Sequence, residues 1–428
     1  MSSKKKVLII TYYWPPAGGS GVQRWLKFVK YLRDFNIEPV IYTVDNPSYP
    51  ILDKSLESEI PKGLEILKQP IFEPNSILSF FGNKKKKESA GFLNPNPMFF
   101  GKIVQYIRAN YFIPDARKFW IKPSIKFLSN YLKNNKIDAI ITTGPPHSMH
   151  KIGLALKEKF AIKWISDFRD PWTEIDYFKQ LPLTKKAKKK HHQLEQEVLE
   201  KSDMVIVVGE TMRKKFYKHN HNIDVLTNGF DSYENSLTKE LDSNFSITHV
   251  GLMNADRNPA ILWEVLHEIS NQNIDFKNDL SIKLIGKIDE TVIQDIQVFN
   301  PKNIVRIPYL EHEEVRKYQE SSQVLLLSIN QVPSAKGIIT GKIFEYLQAK
   351  RPILCIGPED GDAAAILKKT NAGIIVDFDH KNKLKATILK LYKDFKEEKL
   401  VVKSINIEQY HRKNITSQLA EVIKKVVS

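Results

Sequence analysis

Apolar and polar positions along the chain follow two alternating periods. Residues 7–13 form an unbroken apolar run, 15–21 are rich in Gly and Pro, and 22–35 carry Val22, Leu26, Val29 and Leu32 at helical spacing. This predicts strand, turn and helix, and residues 39–44 predict a second strand. Short apolar or β-branched runs at 139–142, 163–166 and 204–208 follow, separated by helical patterns. After the turn-like "NGFDSYENS" the series restarts with a strand at 246–250, a helix at 259–270, strands at 281–285 and 304–307, a helix at 313–321 and a strand at 324–327. A helix at 341–349, a strand at 352–356, a helix at 363–370 and a strand at 373–376 complete it. Strands separated by helical stretches predict parallel sheets with helices on both faces.

The fold class expected is therefore α/β, with two Rossmann-like domains facing each other across a cleft. The linker falls near residues 231–244, giving domains at 1–235 and 245–405 and a terminal helical segment at 406–428. A length of 428 residues supports two cores rather than one. Hydrophobic residues make up 42% and charged residues 27%, which excludes disordered and low-complexity classes. The single cysteine, Cys355, excludes a disulfide framework and cysteine-based zinc or iron–sulfur sites. No run approaches the ~18 to 20 apolar residues that span a bilayer. Lys4, Lys5 and Lys6 before an apolar run imitate a signal peptide, but Pro15 and Pro16 follow with no small-residue cleavage site, so a cytoplasmic protein is expected.

The net charge of +16 alters the picture of partners, because it needs an anionic surface or phosphorylated ligand to offset self-repulsion. Residues 84–133 hold eleven Lys or Arg against Glu88 and Asp115, interleaved with aromatic side chains. A second patch, "KQLPLTKKAKKKHH", has no acid. The segment "MFFGKIVQYIRANYF" places Phe99, Ile103, Tyr106 and Ile107 at helical spacing beside Lys102 and Arg108, with four lysines at 84–87 before it. An anionic membrane surface is the partner this predicts, the protein being peripheral on the inner face of the membrane. A solvated helix face is the plainer account, and nucleic acid is set aside because no recognition element is present.

Candidate chemistry gathers where strands end. In "YYWPPAGGSGVQRW" Gly18 and Gly19 make a flexible turn before a helix, where backbone N–H groups meet phosphates. Gly19 and Gly21 have dinucleotide spacing and Asp45 ends the second strand, which keeps an oxidoreductase as an alternative. Arg24 stands at the third glycine position, however, and would obstruct helix–strand packing. In "TTGPPHSMH" His147 can polarise a hydroxyl or phosphate oxygen, or else cap the next helix. His150 is expected to face elsewhere. In "WISDFRDPW" Asp167, Arg169 and Asp170 either pair internally or meet the substrate, Arg169 on phosphate and an aspartate on a hydroxyl. In "HVGLMNADRNPA" Gly251 admits a ligand to the backbone and Arg257 meets diphosphate. In "GIITGKIFEYLQAKRPIL" Thr340 and Gly341 open a helix, Lys342 adds charge, and Glu345 one turn on reaches ribose hydroxyls. Asp360 and Asp362 match a D-x-D cation pattern, although Asp362 reads first as an N-cap.

Taken in order, "PPAGGSGVQR", "TGPPHSMH", "DFRDPW", "LTNGFD", "HVG" with Arg257 and "TGKIFEYLQAKRPIL" resemble the retaining glycosyltransferases of the GT-B fold. The likeness is to the family 4-like enzymes of bacterial cell-surface polysaccharide assembly. The resemblance implies a C-terminal domain that binds a nucleotide-sugar donor through Gly251, Arg257, Thr340, Gly341, Lys342 and Glu345. It implies an N-terminal acceptor domain contributing Gly18 and Asp167, with His147, Gly19, Arg169 and Asp170 at the transfer site. A terminal helix crossing back to the first domain is also implied, as are retention and a glycan or lipid-linked acceptor. No metal or other cofactor is expected. Many such enzymes carry two glutamates; Glu345 matches the second, and Gly337 occupies the place of the first. A nucleotide-sugar epimerase on the same fold and a non-catalytic nucleotide-sugar binder are the alternatives.

Overall fold

The computed structural model describes residues 4–73, 99–231, 240–299 and 301–428. The lysines at 84–87 lie outside the described residues. Two compact units result, residues 1–228 with 412–428, and residues 229–411.

In the first unit seven parallel strands run in the order β3-β2-β1-β4-β5-β6-β7. They are β1 (Lys5–Ile10), β2 (Ile37–Val44), β3 (Glu65–Gln69), β4 (Ala139–Gly144), β5 (Lys163–Phe168), β6 (Met204–Val207) and β7 (Ile223–Val225). The central strands are fully buried, as their unbroken apolar runs require. Two edge strands escape the sequence pattern. The β3 segment "EILKQ" is only half-buried and mixed in polarity, and β7 is three residues long.

Chain order reverses between β1 and β4, so the loops after those two strands open at the switch point, where ligands bind in such sheets. One face of the sheet is covered by helix Ser20–Leu32 and by helix Arg412–Val427, whose Ile415, Leu419 and Ile423 pack in the same core as Trp25, Leu26 and Val29.

The second unit repeats the design with β8 (Phe245–Val250), β9 (Leu280–Ile285), β10 (Ile304–Ile307), β11 (Val324–Ser328), β12 (Ile353–Ile356) and β13 (Gly373–Val376). These run in parallel in the order β10-β9-β8-β11-β12-β13, which puts the switch point between β8 and β11.

Arg24, which the glycine pattern marked as an obstruction, is accommodated by a buried ion pair. Its Nη2 lies 2.9 Å from Oδ1 of Asp167 at the end of β5, with side-chain exposures of 2% and 0%. Trp25 Nε1 and Thr143 Oγ1 also donate to that carboxylate, at 2.8 and 2.9 Å. Arg24 donates further to the Thr227 carbonyl at 3.0 Å and stacks over Phe28. Burial alone would raise the Asp167 carboxyl, but Arg24 and these donors outweigh it and hold it below the usual range. Removing one member leaves an uncompensated charge in the interior. Asp167→Leu should therefore destabilise the protein by about 3 to 5 kcal/mol, and Arg24→Met with Asp167→Leu together by clearly less than the sum of the two single changes, in urea denaturation.

Candidate functional site

At the first switch point Gly19 holds φ of 92° and starts the helix Ser20–Leu32. Its neighbour Gly18 is fixed by donating to the Ile51 carbonyl at 2.9 Å, and a β-carbon there would sit 2.7 Å from Ile51 Cγ2. Arg169 joins this loop to the loop after β4. It donates from Nη1 to the Gly21 carbonyl at 2.6 Å, from Nε to the Gly144 carbonyl at 3.3 Å, and from Nη2 to the Pro145 carbonyl. Asp170 is half-buried beside it, and burial, more than the opposing charge of Arg169, pushes its carboxyl up.

His147 occupies the N-cap position of helix Ser148–Phe160 without capping it through its side chain. The capping role belongs to Asp115, which accepts from the Ser148 N–H and from Ser148 Oγ at 2.8 Å each. The His147 ring instead lies flat on Trp172, with centroids 4.6 Å apart and planes 2° apart. Trp172 is held in turn by donating from Nε1 to His191 Nδ1 at 3.1 Å. Burial, followed by the nearby His150 and Arg169, keeps the His147 imidazole neutral, well below its ordinary pKa. Its Nδ1 is buried with no partner among the described residues.

His150 does not face elsewhere. Three residues on in the helix, it lies on the same side as His147, with ring centroids 5.8 Å apart. It stacks on Phe168 and meets Thr142 Oγ1 through Nδ1 at 2.8 Å. The first unit thus brings Gly18, Gly19, His147 and Arg169 to one edge of the sheet. Asp167 lies beneath them in its pair with Arg24.

At the second switch point Gly251 has φ of 92°, and a β-carbon there would lie 2.9 Å from Lys342 Cε. Lys342, first residue of helix Lys342–Ala349, donates from Nζ to the Leu252 carbonyl at 3.1 Å and contacts His249 Nε2 at 2.9 Å. Arg257 donates from Nη1 to the same Leu252 carbonyl at 3.1 Å, and from Nε and Nη2 to Asn330 Oδ1 at 3.0 and 2.8 Å.

Two cations share one carbonyl oxygen, and every hydrogen-bond partner of either is a neutral group. His249, wholly buried, faces the Leu326 carbonyl through Nδ1 at 3.2 Å, so Nδ1 carries the proton and Nε2 accepts from Lys342. Burial and then the Lys342 charge keep it neutral. Burial first, and Arg257 second, lower Lys342 to about 7.

Thr340 Oγ1 and Asn254 Oδ1, both flanking this point in sequence, are buried without partners. Gly341 is the helix N-cap with no side-chain cap, and the Ile343 and Phe344 N–H groups turn back to the Thr340 and Gly341 carbonyls at 3.2 Å each. Glu345, one turn on, accepts from Gln319 Nε2 at 3.2 Å. The unit therefore brings Gly251, Arg257, Thr340, Gly341, Lys342 and Glu345 into one neighbourhood suited to a polyanion. In the D-x-D segment, Asp360 is exposed and paired with Lys336 at 2.5 Å, and Asp362 is the first residue of helix Asp362–Thr370 after the N-cap Gly361.

No protein-family model and no curated protein matches the sequence. Solved structures share its fold. Anabaena HepE in complex with UDP-glucose is 12% identical with a TM-score of 0.61, covering 98% of this chain and 99% of that one. A sucrose-phosphate synthase from Thermosynechococcus elongatus is 12% identical at 0.59, covering 98% of each chain. A UDP-N-acetylglucosamine 2-epimerase is 12% identical at 0.54, covering 98% of this chain and 95% of that one. The two parallel-sheet α/β units are those of the GT-B fold.

A diphosphate bound against Lys342 would hold it protonated, so binding would take up a proton once the free lysine begins to lose it near pH 7. Affinity for UDP or GDP, measured by titration calorimetry, should be flat below pH 7 and fall by up to about tenfold per pH unit between 7 and 9. Lys342→Met should bind weakly throughout and lose that slope.

Proposed function

We propose that the protein is a glycosyltransferase that moves a sugar from a nucleotide-diphosphate sugar to a glycan or lipid-linked acceptor, with retention, in surface polysaccharide assembly. The observation that carries this reading is the pair Arg257 and Lys342, two partly buried cations with only neutral partners at the Gly251 turn. Glu345 offsets the two charges only in part, and holding them together costs free energy that an anionic ligand recovers. In the reaction those cations stabilise the departing diphosphate, a role that a divalent metal fills elsewhere. Activity is accordingly expected without metal. Glu345 accepts from the ribose hydroxyls in exchange for Gln319. The first unit supplies His147 to the transfer step.

A lipid-linked acceptor also gives the exposed basic surface of the first unit a role. Helix Phe99–Tyr111 leaves Ile103, Ile107 and Tyr111 at 42%, 44% and 65% exposed. Its Asn110 donates to the Pro182 carbonyl at 2.8 Å and accepts from the Thr184 N–H at 2.7 Å, which ties it to the start of helix Lys185–Lys201. There Lys185, Lys186, Lys188, Lys189 and Lys190 are all exposed. Apolar side chains beside a lysine row fit an anionic bilayer surface, each lysine contributing ~1 kcal/mol. Among the described residues no helix is long and apolar enough to cross a membrane.

A panel of nucleotide sugars tested for binding and for turnover with and without acceptor, in EDTA, decides the class. Acceptor-dependent transfer in EDTA supports the proposal; interconversion of the donor without acceptor makes the protein an epimerase, and affinity without turnover makes it a binder. Glu345→Ala should weaken nucleotide-diphosphate binding by about 2 to 3 kcal/mol with the fold intact. His147→Ala should lower kcat far more than it weakens donor binding. Co-sedimentation with anionic liposomes should be salt-sensitive and reduced when the five exposed lysines become Gln, and no binding at low salt would remove the membrane role.

A further inference from the structure

The groups behind His147 form a chain with a fixed direction. It begins at Trp164, whose indole Nε1–H can only donate, and which gives its hydrogen to Thr142 Oγ1 at 2.9 Å. Trp164, Thr142 and His150 are each fully buried. The Thr142 hydroxyl has one other polar contact, His150 Nδ1 at 2.8 Å, so its own hydrogen goes there. A His150 ring that accepts at Nδ1 and is neutral carries its proton at Nε2. Burial keeps that ring neutral, with a pKa lowered to about 3.

His150 Nε2 and His147 Nδ1 are the two ring nitrogens buried without a partner in this loop. They converge: a β-carbon on Gly144 would lie 2.6 Å from the first and 2.9 Å from the second. The two nitrogens face each other across the bare Cα of Gly144, where even a β-carbon would crowd both. The hydrogen on His150 Nε2 is therefore turned toward the lone pair of His147 Nδ1. His147 then holds its own proton on Nε2.

We infer that Trp164, Thr142 and His150 form a positioning relay that fixes His147 as the Nε2–H tautomer, making it a hydrogen-bond donor toward a substrate oxygen rather than a base. His150, Thr142 and Trp164 touch no substrate and act only through His147. The tautomer assignment stands without the transferase reading, which enters only in naming what His147 meets.

The relay is tested first by long-range ¹H–¹⁵N NMR of histidine-labelled protein at neutral pH, which reports the protonated nitrogen of each ring. The expected result is Nε2–H on both His147 and His150 in the unaltered protein. Nδ1–H on either ring overturns the relay. Thr142→Val should release the tautomer, so that an Nδ1–H form of His147 appears, and Thr142→Ser should restore the original spectrum. If Thr142→Val leaves the His147 tautomer unchanged while the protein remains folded, the relay is wrong. With a donor and acceptor identified, Thr142→Val should lower kcat roughly tenfold to a hundredfold at nearly constant donor KM, with Thr142→Ser recovering most of it. A spectrum as expected with no turnover from any nucleotide sugar would leave the relay standing and remove the transferase reading.

Discussion

The Asp167 carboxylate is the point to which the first unit is tied. It sits at the end of a central strand with no exposure, where a lone ionised group would cost several kcal/mol. The chain meets that cost with three donors from two elements: Arg24 and Trp25 from the first helix, and Thr143 from the adjacent strand. Because Arg24 also reaches the Thr227 carbonyl and Asn228, the same charge pair fixes the segment that leads out of the unit. The glycine turn before the helix and the loop after β4 are thereby held in register, and Arg169, two residues beyond the aspartate, joins them through backbone carbonyls. One buried interaction sets the distance between the two loops that flank the switch point.

The second unit solves the opposite problem. There no acid is hydrogen-bonded to the positive charges, whose partners are carbonyl, amide and imidazole groups, and Glu345 one turn on offsets them only in part. Arg24 meets a carboxylate, whereas Arg257 and Lys342 hydrogen-bond to neutral groups, and the lowered Lys342 pKa is the visible cost of the second arrangement.

The fold was largely legible because the central parallel strands are predominantly apolar, and runs such as 139–142 and 324–327 have no other stable environment. The edge strands were not, since β3 needs only one apolar face and β7 is too short to carry a period. Glycines at strand ends were legible as places, and Gly19 and Gly251 do hold the positive φ that turns of this kind need. Side-chain partnerships were not. Arg24 reads as a steric problem until Asp167, 143 positions away, is brought beneath it. His150 was misplaced although its three-residue spacing from His147 puts both on one helix side. His249 shares the strand FSITHV with Ser246 and Thr248, and a histidine buried there signals that its ring needs a specific partner, which no neighbour in sequence identifies. The capping of Ser148 by Asp115 joins positions that no local pattern links.

Helix Arg412–Val427 completes the core over Trp25 and Leu26, although nearly all the rest of that unit precedes residue 229. During synthesis the first sheet emerges early, but one of its apolar faces stays uncovered while the entire second unit is translated. At ~5 to 20 residues per second, the roughly 180 intervening residues impose a delay on the order of ten seconds or more. The second unit, contiguous in sequence, can finish first. In that interval the part of the face that the terminal helix covers is open to chaperones or to premature association with another nascent copy.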